Sequence, residues 1–367
     1  MPANKPPFDG EWVRLNQLCM KGRSALRQKD LIDDGPYAVY GASGIIGSMS
    51  TFQNSARYVA VVKDGAGVGR VNLCSARTSV LGTMQALIPT EMVLPEYLLH
   101  LIRAMRLGDG FSGSTIPHIY FKDYGQRLVR YVSMADQERI VGTLGSIEDQ
   151  IDILHQQKER LDTLVKSRFV EMFGGSGWPV VTVGSLATDI RYGTSKKASD
   201  SGQFVYLRMN NMTDGGGLDF DDVKYIDLDG SELDKCLVVD GDLLFNRTNS
   251  REKVGKTAVF HEKEPMVIAG YIIRVRLGDR IRPDFLAAYM NLPTTKAMLR
   301  SIARGAVHQA NINSKELSAI EVPVPPICLQ DSFLAFVAEV DKSRFIVQQK
   351  IEKLQTLYDS LAQKYFG

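Results

Sequence analysis

The sequence predicts a mixed α/β (α+β) fold in which two globular units alternate with two long helices that pair as a coiled coil. Three observations predict this arrangement: an internal repeat, heptad spacing sustained in both copies, and short β-type runs that end in glycine-rich turns. A chain of 367 residues is long enough for two or three domains with separate cores.

The two long helices are predicted from about residue 135 to 173 and from about residue 329 to 366. In each segment the mainly apolar positions step by alternating four and three residues, which is the spacing of a coiled-coil seam. The seam positions of the two copies match at a constant offset of 193 residues, as Ile140 matches Phe333. A helix ~58 Å long, at ~1.5 Å per residue, cannot bury its own apolar stripe. The two copies are therefore predicted to pack against each other.

Four segments are predicted along the chain. They are a first unit at residues 1–134, the first helix at 135–174, a second unit at 175–327, and the second helix at 328–367. The second unit repeats the framing segments of the first, since Trp178 corresponds to Trp12 and Pro283 corresponds to Pro95. The middles of the two units differ in sequence. Such a plan suits a protein that recognises two different targets with one scaffold.

The composition excludes several classes of protein and identifies no partner. The net charge of +2 is too small to indicate nucleic acid or membrane by itself. The four cysteines are isolated and lack the paired spacing of zinc modules or disulfide frameworks. No apolar run is long enough to span a bilayer, and no secretory signal is visible, so the cytoplasm is the expected location.

No complete catalytic or cofactor motif occurs in the sequence. The five histidines are scattered, and no G-x-S-x-G nucleophile elbow is found. The segment Val254-Gly255-Lys256-Thr257 ends like a phosphate-binding P-loop, but Ser250 stands where that motif requires its first glycine. We therefore predict that the chain is not an enzyme and holds no metal or cofactor. A nucleotide-binding enzyme that uses Gly255-Lys256-Thr257 is a distant alternative.

Basic, amide and hydroxyl side chains collect in the predicted turns and form a candidate DNA-binding surface. Arginine and lysine neutralise phosphates or bind guanine, and asparagine and glutamine pair with adenine. The alternative for any single residue is that surface loops are polar in general. The candidates are Ser43, Lys63, Arg70, Arg77, Ser112, Ser114, His118, Arg191, Lys196, Lys197, Arg208, Asn210, Asn211, Arg247, Asn249, Arg251, Lys253, Arg304, His308, Gln309 and Asn311. Their concentration at residues 246–253 and 304–313 favours the collective interpretation.

The duplicated plan and several short segments together resemble the specificity (S) subunit of Type I restriction–modification systems. The segments are Tyr40–Gly47, Gly241–Arg247, Val254–Lys256 and Val322–Pro326, with Gln330 just inside the second helix. The resemblance covers essentially the whole chain and rests on the order of the segments, since none of them is diagnostic alone. One departure is that residues 131–137 replace the proline-rich entry at the first helix, although Gln137 matches Gln330.

The resemblance implies two target-recognition domains, each binding one half of a bipartite double-stranded DNA site. The two helices would separate these domains and dock modification (methyltransferase) subunits, with a restriction (translocase and nuclease) subunit in the full complex. S-adenosylmethionine, ATP and Mg²⁺ would then act in the partner subunits. The alternative is a coiled-coil interaction scaffold that does not recognise DNA sequence.

Overall fold

The computed structural model describes residues 8–110, 117–175, 177–306 and 309–367. The chain forms two compact units. Unit 1 contains the residues up to Gln156 together with Gln348–Gly367, and unit 2 is Gln157–Val347. Each unit therefore takes one part of each long helix.

The part of the chain before the first long helix is built mainly from short strands. The strands are β1 (Gly10–Arg14), β2 (Cys19–Lys21), β3 (Tyr37–Gly41), β4 (Gly44–Met49), β5 (Tyr58–Val62), β6 (Val71–Cys74), β7 (Ser79–Val80), β8 (Met84–Pro89) and β9 (Leu128–Val132). The helices are α1 (Leu15–Leu18), α2 (Pro95–Ala104), α3 (Phe121–Tyr124) and the long α4 (Met134–Phe173).

The rest of the chain adds further short strands and ends in the second long helix. The strands are β10 (Val180–Thr182), β11 (Ala187–Tyr192), β12 (Phe204–Leu207), β13 (Lys224–Ile226), β14 (Leu237–Val238), β15 (Leu243–Asn246), β16 (Thr248–Asn249), β17 (Thr257–Val259), β18 (Met266–Ile268), β19 (Ile272–Leu277), β20 (Arg304–Ala306), β21 (Gln309–Asn311) and β22 (Glu321–Pro323). The helices are α5 (Val183–Leu186), α6 (Gly230–Cys236), α7 (Pro283–Met290), α8 (Pro293–Ile302), α9 (Ser314–Ser318) and the long α10 (Ile327–Phe366).

Both units contain the same central sheet. Four antiparallel strands run in the order β2-β8-β5-β6 in unit 1 and β11-β19-β15-β17 in unit 2. Each unit also has a second sheet with one parallel pair. In unit 1 this sheet has three strands and pairs β3 with β7, and in unit 2 it has four strands and pairs β12 with β18. The mixed α/β fold class is thus confirmed. The middles of the two units, which differ in sequence, share their strand order as well.

The two long helices pack against each other within each unit. In unit 1, Ile140 and Leu144 of α4 share a buried cluster with Tyr358 and Ala362 of α10. In unit 2, Phe169 of α4 and Phe333 of α10 are in edge contact, with ring centroids 5.2 Å apart. These contacts confirm the predicted helix pairing. Among the described residues, no helix is both long enough and apolar enough to cross a lipid bilayer.

One glutamine anchors each long helix to its unit in the same way. Gln137 is fully buried; its Oε1 accepts from the backbone N–H of Leu94, and its Nε2 donates to the carbonyls of Met92 and Val132. Gln330, also fully buried, accepts from Arg282 N–H and donates to Arg280 and Pro325. Each glutamine thus accepts from one backbone N–H and donates to two carbonyls, because the flanking segments repeat. The match of Gln137 with Gln330 therefore has a structural basis, although the proline-rich entry is replaced at the first helix.

Candidate nucleic-acid interface

In unit 2, the two segments richest in basic and amide residues meet in one small sheet. Strand β16, in the loop between β15 and β17, pairs with β21, and β21 pairs with β20. Thr248 faces Asn311 and Asn249 faces Ala310 in this register. Residues 246–253 thus form one edge of the unit with residues 304–306 and 309–313, about sixty positions away in sequence.

Unit 1 brings together the corresponding two loops. In the loop between β5 and β6, the Lys63 carbonyl accepts a hydrogen bond from the backbone N–H of Ile119, at 3.0 Å. Gly65 N–H donates to Pro117, and His118 Nδ1 lies 2.7 Å from Asp64 Oδ1. Both units therefore place a hairpin loop of the central sheet beside the segment that precedes a short helix. We name each of these two edges a loop platform. The platform of unit 1 consists of residues 63–70 and 117–119, and that of unit 2 consists of residues 246–253, 304–306 and 309–313.

Two arginines of the unit 2 loop platform are held by the protein itself. The Arg247 guanidinium lies 4.8 Å from the centroid of the Tyr192 ring and donates to the Gly270 carbonyl. Arg251 donates to three carbonyls around the end of α8, those of Arg300, Ala303 and Gly305. These contacts give both side chains a role in shaping the loop.

A second group of candidates supports the loop after β12. Arg208 donates to the carbonyl and carboxylate of Asp222, and Asn210 donates to the same carboxylate. Asn211 is only 2% exposed, and its amide bonds to Arg208 N–H and to the Asp219 and Asp222 carbonyls. A buried amide with these partners favours a structural role for Asn211.

Several other unit 2 candidates lie at the surface. Arg191 pairs with Asp189, Lys196 with Glu232, and Arg304 with Glu316, at 2.6–2.8 Å. The basic side chain of each pair is exposed, and ion pairs at the surface contribute little to stability, so these cations can bind a phosphate instead. Asn249 donates to Asn246, and Asn311 accepts from Thr248. Lys197, Lys253 and Gln309 are exposed.

The unit 1 candidates are fewer and more scattered. Arg77 donates to the Tyr37 hydroxyl at 2.8 Å and lies over the Tyr37 and Phe52 rings. Ser43, in the turn between β3 and β4, and Arg70, beside β6, are exposed, and Lys63 is half-buried. Three further candidates, Ser112, Ser114 and His308, lie outside the described residues.

The sequence analysis did not predict a basic cavity beside the unit 2 loop platform, although one of its lining residues, Lys253, was a candidate. Its volume is about 260 Å³, and Lys253, Lys256, Lys296 and Arg300 line it together with Asp214 and Glu252. Burial, and then the neighbouring Lys256 ammonium, lowers the pKa of Lys296 to about 8. The only signal in the sequence was the spacing of Lys296 and Arg300, which places both on one face of α8.

The P-loop-like segment does not have the structure of a P-loop. Thr257 begins strand β17, whereas a P-loop leads into a helix whose first N–H groups hold phosphates. The Lys256 ammonium donates to the Met212 carbonyl and pairs with Asp214, and the Thr257 hydroxyl donates to the Gly255 carbonyl. The structure thus contradicts the nucleotide-binding alternative at this segment. No group of three or more metal-ligating side chains occurs within the described ranges.

Comparison with known proteins identifies the family. The model of the Type I restriction modification DNA specificity domain matches residues 175–356. A putative type I restriction enzyme specificity subunit (MjaX) from Methanocaldococcus jannaschii is 25% identical over 193 residues, which are 52% of this chain and 45% of the relative. The second half of the chain is thus a type I restriction–modification specificity domain.

A second relative extends the match toward the N-terminus. The EcoKI specificity subunit of Escherichia coli K12 is 21% identical over 310 residues, 76% of this chain and 66% of that subunit. The chain thus spans 45% and 66% of the lengths of these two type I subunits.

Solved structures show the same fold. The S subunit of a type I restriction–modification system from M. genitalium aligns with a TM-score of 0.54 and 14% identity, covering 100% of this chain and 98% of that one. A chain from a study of complex assembly and conformational transition of the type I system aligns with a TM-score of 0.56 and 17% identity, covering 99% of both. The architecture of units and long helices is therefore that of type I specificity subunits.

Proposed function

We propose that the chain is a non-catalytic DNA-recognition subunit of a type I restriction–modification complex, with each unit binding one half of a bipartite DNA site. The observation that carries this proposal is the duplicated loop platform. In each unit, a hairpin loop of the central sheet joins a second polar loop at one edge. Two equivalent platforms with different side chains suit two different half-sites.

The chemistry of the unit 2 platform supports DNA as the ligand. Lys253 and Lys197 are exposed, and so is Arg300, which lines the cavity beside the platform. Ammonium and guanidinium groups provide the phosphate contacts that dominate DNA affinity, while amides such as Gln309 can contact base edges. A local basic surface is compatible with a net charge of only +2.

Exposed apolar side chains on the long helices support docking of partner subunits. In unit 1, Ile153 of α4 and Leu357 of α10 are exposed, and in unit 2 their counterparts Ile346 and Leu164 are exposed too. Each pair matches at the offset of 193 residues, so the same exposed positions occur in both helices. We propose that modification (methyltransferase) subunits cover these side chains.

The remaining activities would belong to the partner subunits in the cytoplasm. The modification subunits would bind S-adenosylmethionine, and a restriction subunit would use ATP and Mg²⁺. The EcoKI and MjaX relatives are named as subunits of type I restriction enzymes, which supports a role as one part of a larger enzyme.

A DNA-binding titration tests the proposal. The chain, assembled with its modification subunits, is titrated against a labelled random duplex at several salt concentrations. We expect binding at low salt that weakens linearly on a log–log plot, with a slope proportional to the number of phosphate contacts. A complex that assembles but does not bind duplex DNA at low salt would favour the interaction scaffold instead.

A further inference from the structure

Unit 2 contains a cavity of about 440 Å³ between its parts of the two long helices and helix α7. Its apolar wall includes Val165 and Phe169 of α4, Phe333 and Val337 of α10, and Ala288 of α7. A cavity of this size and lining falls within the range of small-molecule sites. It is separate from the basic cavity and from the residues of the loop platform.

The internal repeat identifies the same position in unit 1. Tyr97 of α2 contacts Phe366 of α10, with ring centroids 5.3 Å apart, and Phe285 of α7 contacts Phe173 of α4 at 4.9 Å. Phe285 lies 188 residues after Tyr97 on the short helices, and Phe366 lies 193 residues after Phe173 on the long helices. Under the same offsets, Val165 corresponds to Tyr358, and Ala288 corresponds to His100.

In unit 1, large side chains occupy the position that is open in unit 2. The Tyr358 ring is buried, and its hydroxyl lies 2.8 Å from Nδ1 of His100, which is 3% exposed. Glu148 lies beside the same hydroxyl and accepts a hydrogen bond from Arg103. The counterparts of Glu148 and Arg103 in unit 2 are Asp341 and Asn291, and both line the cavity. Unit 2 therefore has the polar side chains of Asp341 and Asn291 at this end of the cavity but has no aromatic ring in the place of Tyr358.

The charged groups around the cavity favour a neutral ligand. Arg344 pairs with both Asp162 and Asp341. His261 lies 2.9 Å from a carboxylate oxygen of Asp240 and 2.9 Å from one of Asp284. Four aspartates outnumber Arg344 and His261, so the site carries a net negative charge that repels an anion. The apolar wall disfavours a buried cation, whereas a neutral hydroxyl can donate to Asp341.

We propose that the cavity of unit 2 binds one neutral aromatic ring that carries a hydroxyl group, in the place that Tyr358 fills in unit 1. The ring would pack against Phe169, Phe333 and Val165, and its hydroxyl would lie near Asp341 and Asn291. Apolar cavities between packed side chains bind small aromatic molecules readily. A free phenol and a tyrosine side chain of another polypeptide share this chemistry.

Isothermal titration of the full chain with p-cresol tests the proposal. We expect one p-cresol per chain. The double substitution Val165→Tyr with Ala288→His copies the side chains of unit 1 and should lower the affinity at least about tenfold. Ser167→Tyr, which adds the same ring at an exposed position of α4 outside the cavity, should leave p-cresol binding unchanged. Circular dichroism and thermal unfolding verify that each variant is folded.

The reverse exchange provides a second test. Tyr358→Val with His100→Ala opens the equivalent position in unit 1, and the stoichiometry should rise from one p-cresol to two. Parallel titration with N-acetyltyrosine amide distinguishes the two sources of the ring: binding of p-cresol alone indicates a small phenol, and binding of both indicates that a polypeptide side chain is accepted. No p-cresol binding by the parent chain, or undiminished binding by the folded Val165→Tyr/Ala288→His variant, would overturn the proposal. Neither result depends on DNA binding.

Discussion

Two neighbouring residues of the unit 2 loop platform are expected to differ in what they contribute. Arg251 donates to three carbonyls at the end of α8, whereas Lys253 is exposed. Arg251→Ala should lower the free energy of unfolding by ~1–2 kcal/mol, because it leaves carbonyls without donors. Lys253→Ala should leave stability within about 0.5 kcal/mol and weaken binding to every duplex, with the salt slope falling by about one.

Urea denaturation and DNA titration at several salt concentrations check this pair of predictions. An Arg251→Ala variant with unchanged stability and an altered preference at one base pair would make Arg251 a direct base contact. That result would favour the original sequence-based interpretation of Arg251.

His100 should make unit 1 sensitive to acid. Burial, and then the charge of Arg103, lowers the pKa of His100 from 6.5 to about 4, against the opposing effect of Glu96. The unfolded chain binds this proton below pH 6.5 and the folded chain only below about pH 4, so stability falls as the pH drops through that window. The loss amounts to at most roughly 3 kcal/mol at ~1.36 kcal/mol per pKa unit.

Chemical denaturation between pH 7 and pH 4 measures this effect, with His100→Gln as the control. The parent should lose more stability than the variant over this range. Equal pH slopes for the two proteins would contradict the assignment of a buried neutral histidine.

The contacts of several single residues could not be predicted from the sequence. The roles of Asn211 and Arg208 depend on Asp222, a loop residue more than ten positions away, and no local pattern reveals that contact. Lys296 and Arg300 were missed because a helical i,i+4 pair is common on any exposed face, and only the fold brings them beside Lys256.

At the scale of elements, the long helices were predictable and the loop pairing was not. The predicted starts near residues 135 and 329 compare with Met134 and Ile327 in the structure. Heptad spacing is a local signal repeated over many turns, so it defines such helices well. The pairing of β16 with β21 joins residues about sixty positions apart, and strands of two or three residues carry too little periodicity to reveal it.

Two isoleucines of helix α4 distinguish packing from partner docking. Ile147 is 5% exposed and Ile153 is 61% exposed. Ile147→Ala should lower the free energy of unfolding by ~2–4 kcal/mol, since a buried isoleucine leaves a cavity. Ile153→Ala should cost less than about 0.5 kcal/mol and weaken binding of the modification subunits. Thermal unfolding and a pull-down titration measure the two effects, and equal stability losses would contradict the assigned faces.

A residue closer to the middle of the helix extends this test. Leu154 belongs to the predicted seam and is half-buried in the structure. Leu154→Asp should therefore reduce stability, while a change at the exposed Gln157 should leave it unaltered. Circular dichroism and sizing of the two variants would show the difference, and an equally stable Leu154→Asp protein would argue against seam packing there.

At the scale of the whole molecule, we expect helix length to determine the gap between the two half-sites. Seven residues inserted after Leu154, and seven more at the matching position after Val347, preserve the heptad pattern of both helices. The insertion adds ~10 Å of helix at ~1.5 Å per residue. At ~3.4 Å per base pair, the gap should grow by at most about three base pairs. The half-site bases should stay the same, because no loop platform is changed.

Selection of preferred duplexes from a randomised pool tests the central proposal most directly. The chain is assembled with its modification subunits, and bound duplexes are sequenced for the parent and for variants of one loop platform at a time. We expect two short specified segments separated by an unspecified gap, with changes at Gln309 and Asn249 altering only one of the segments. A single uninterrupted site, no enrichment at all, or changes in both segments from one platform would contradict the division of DNA recognition between two units.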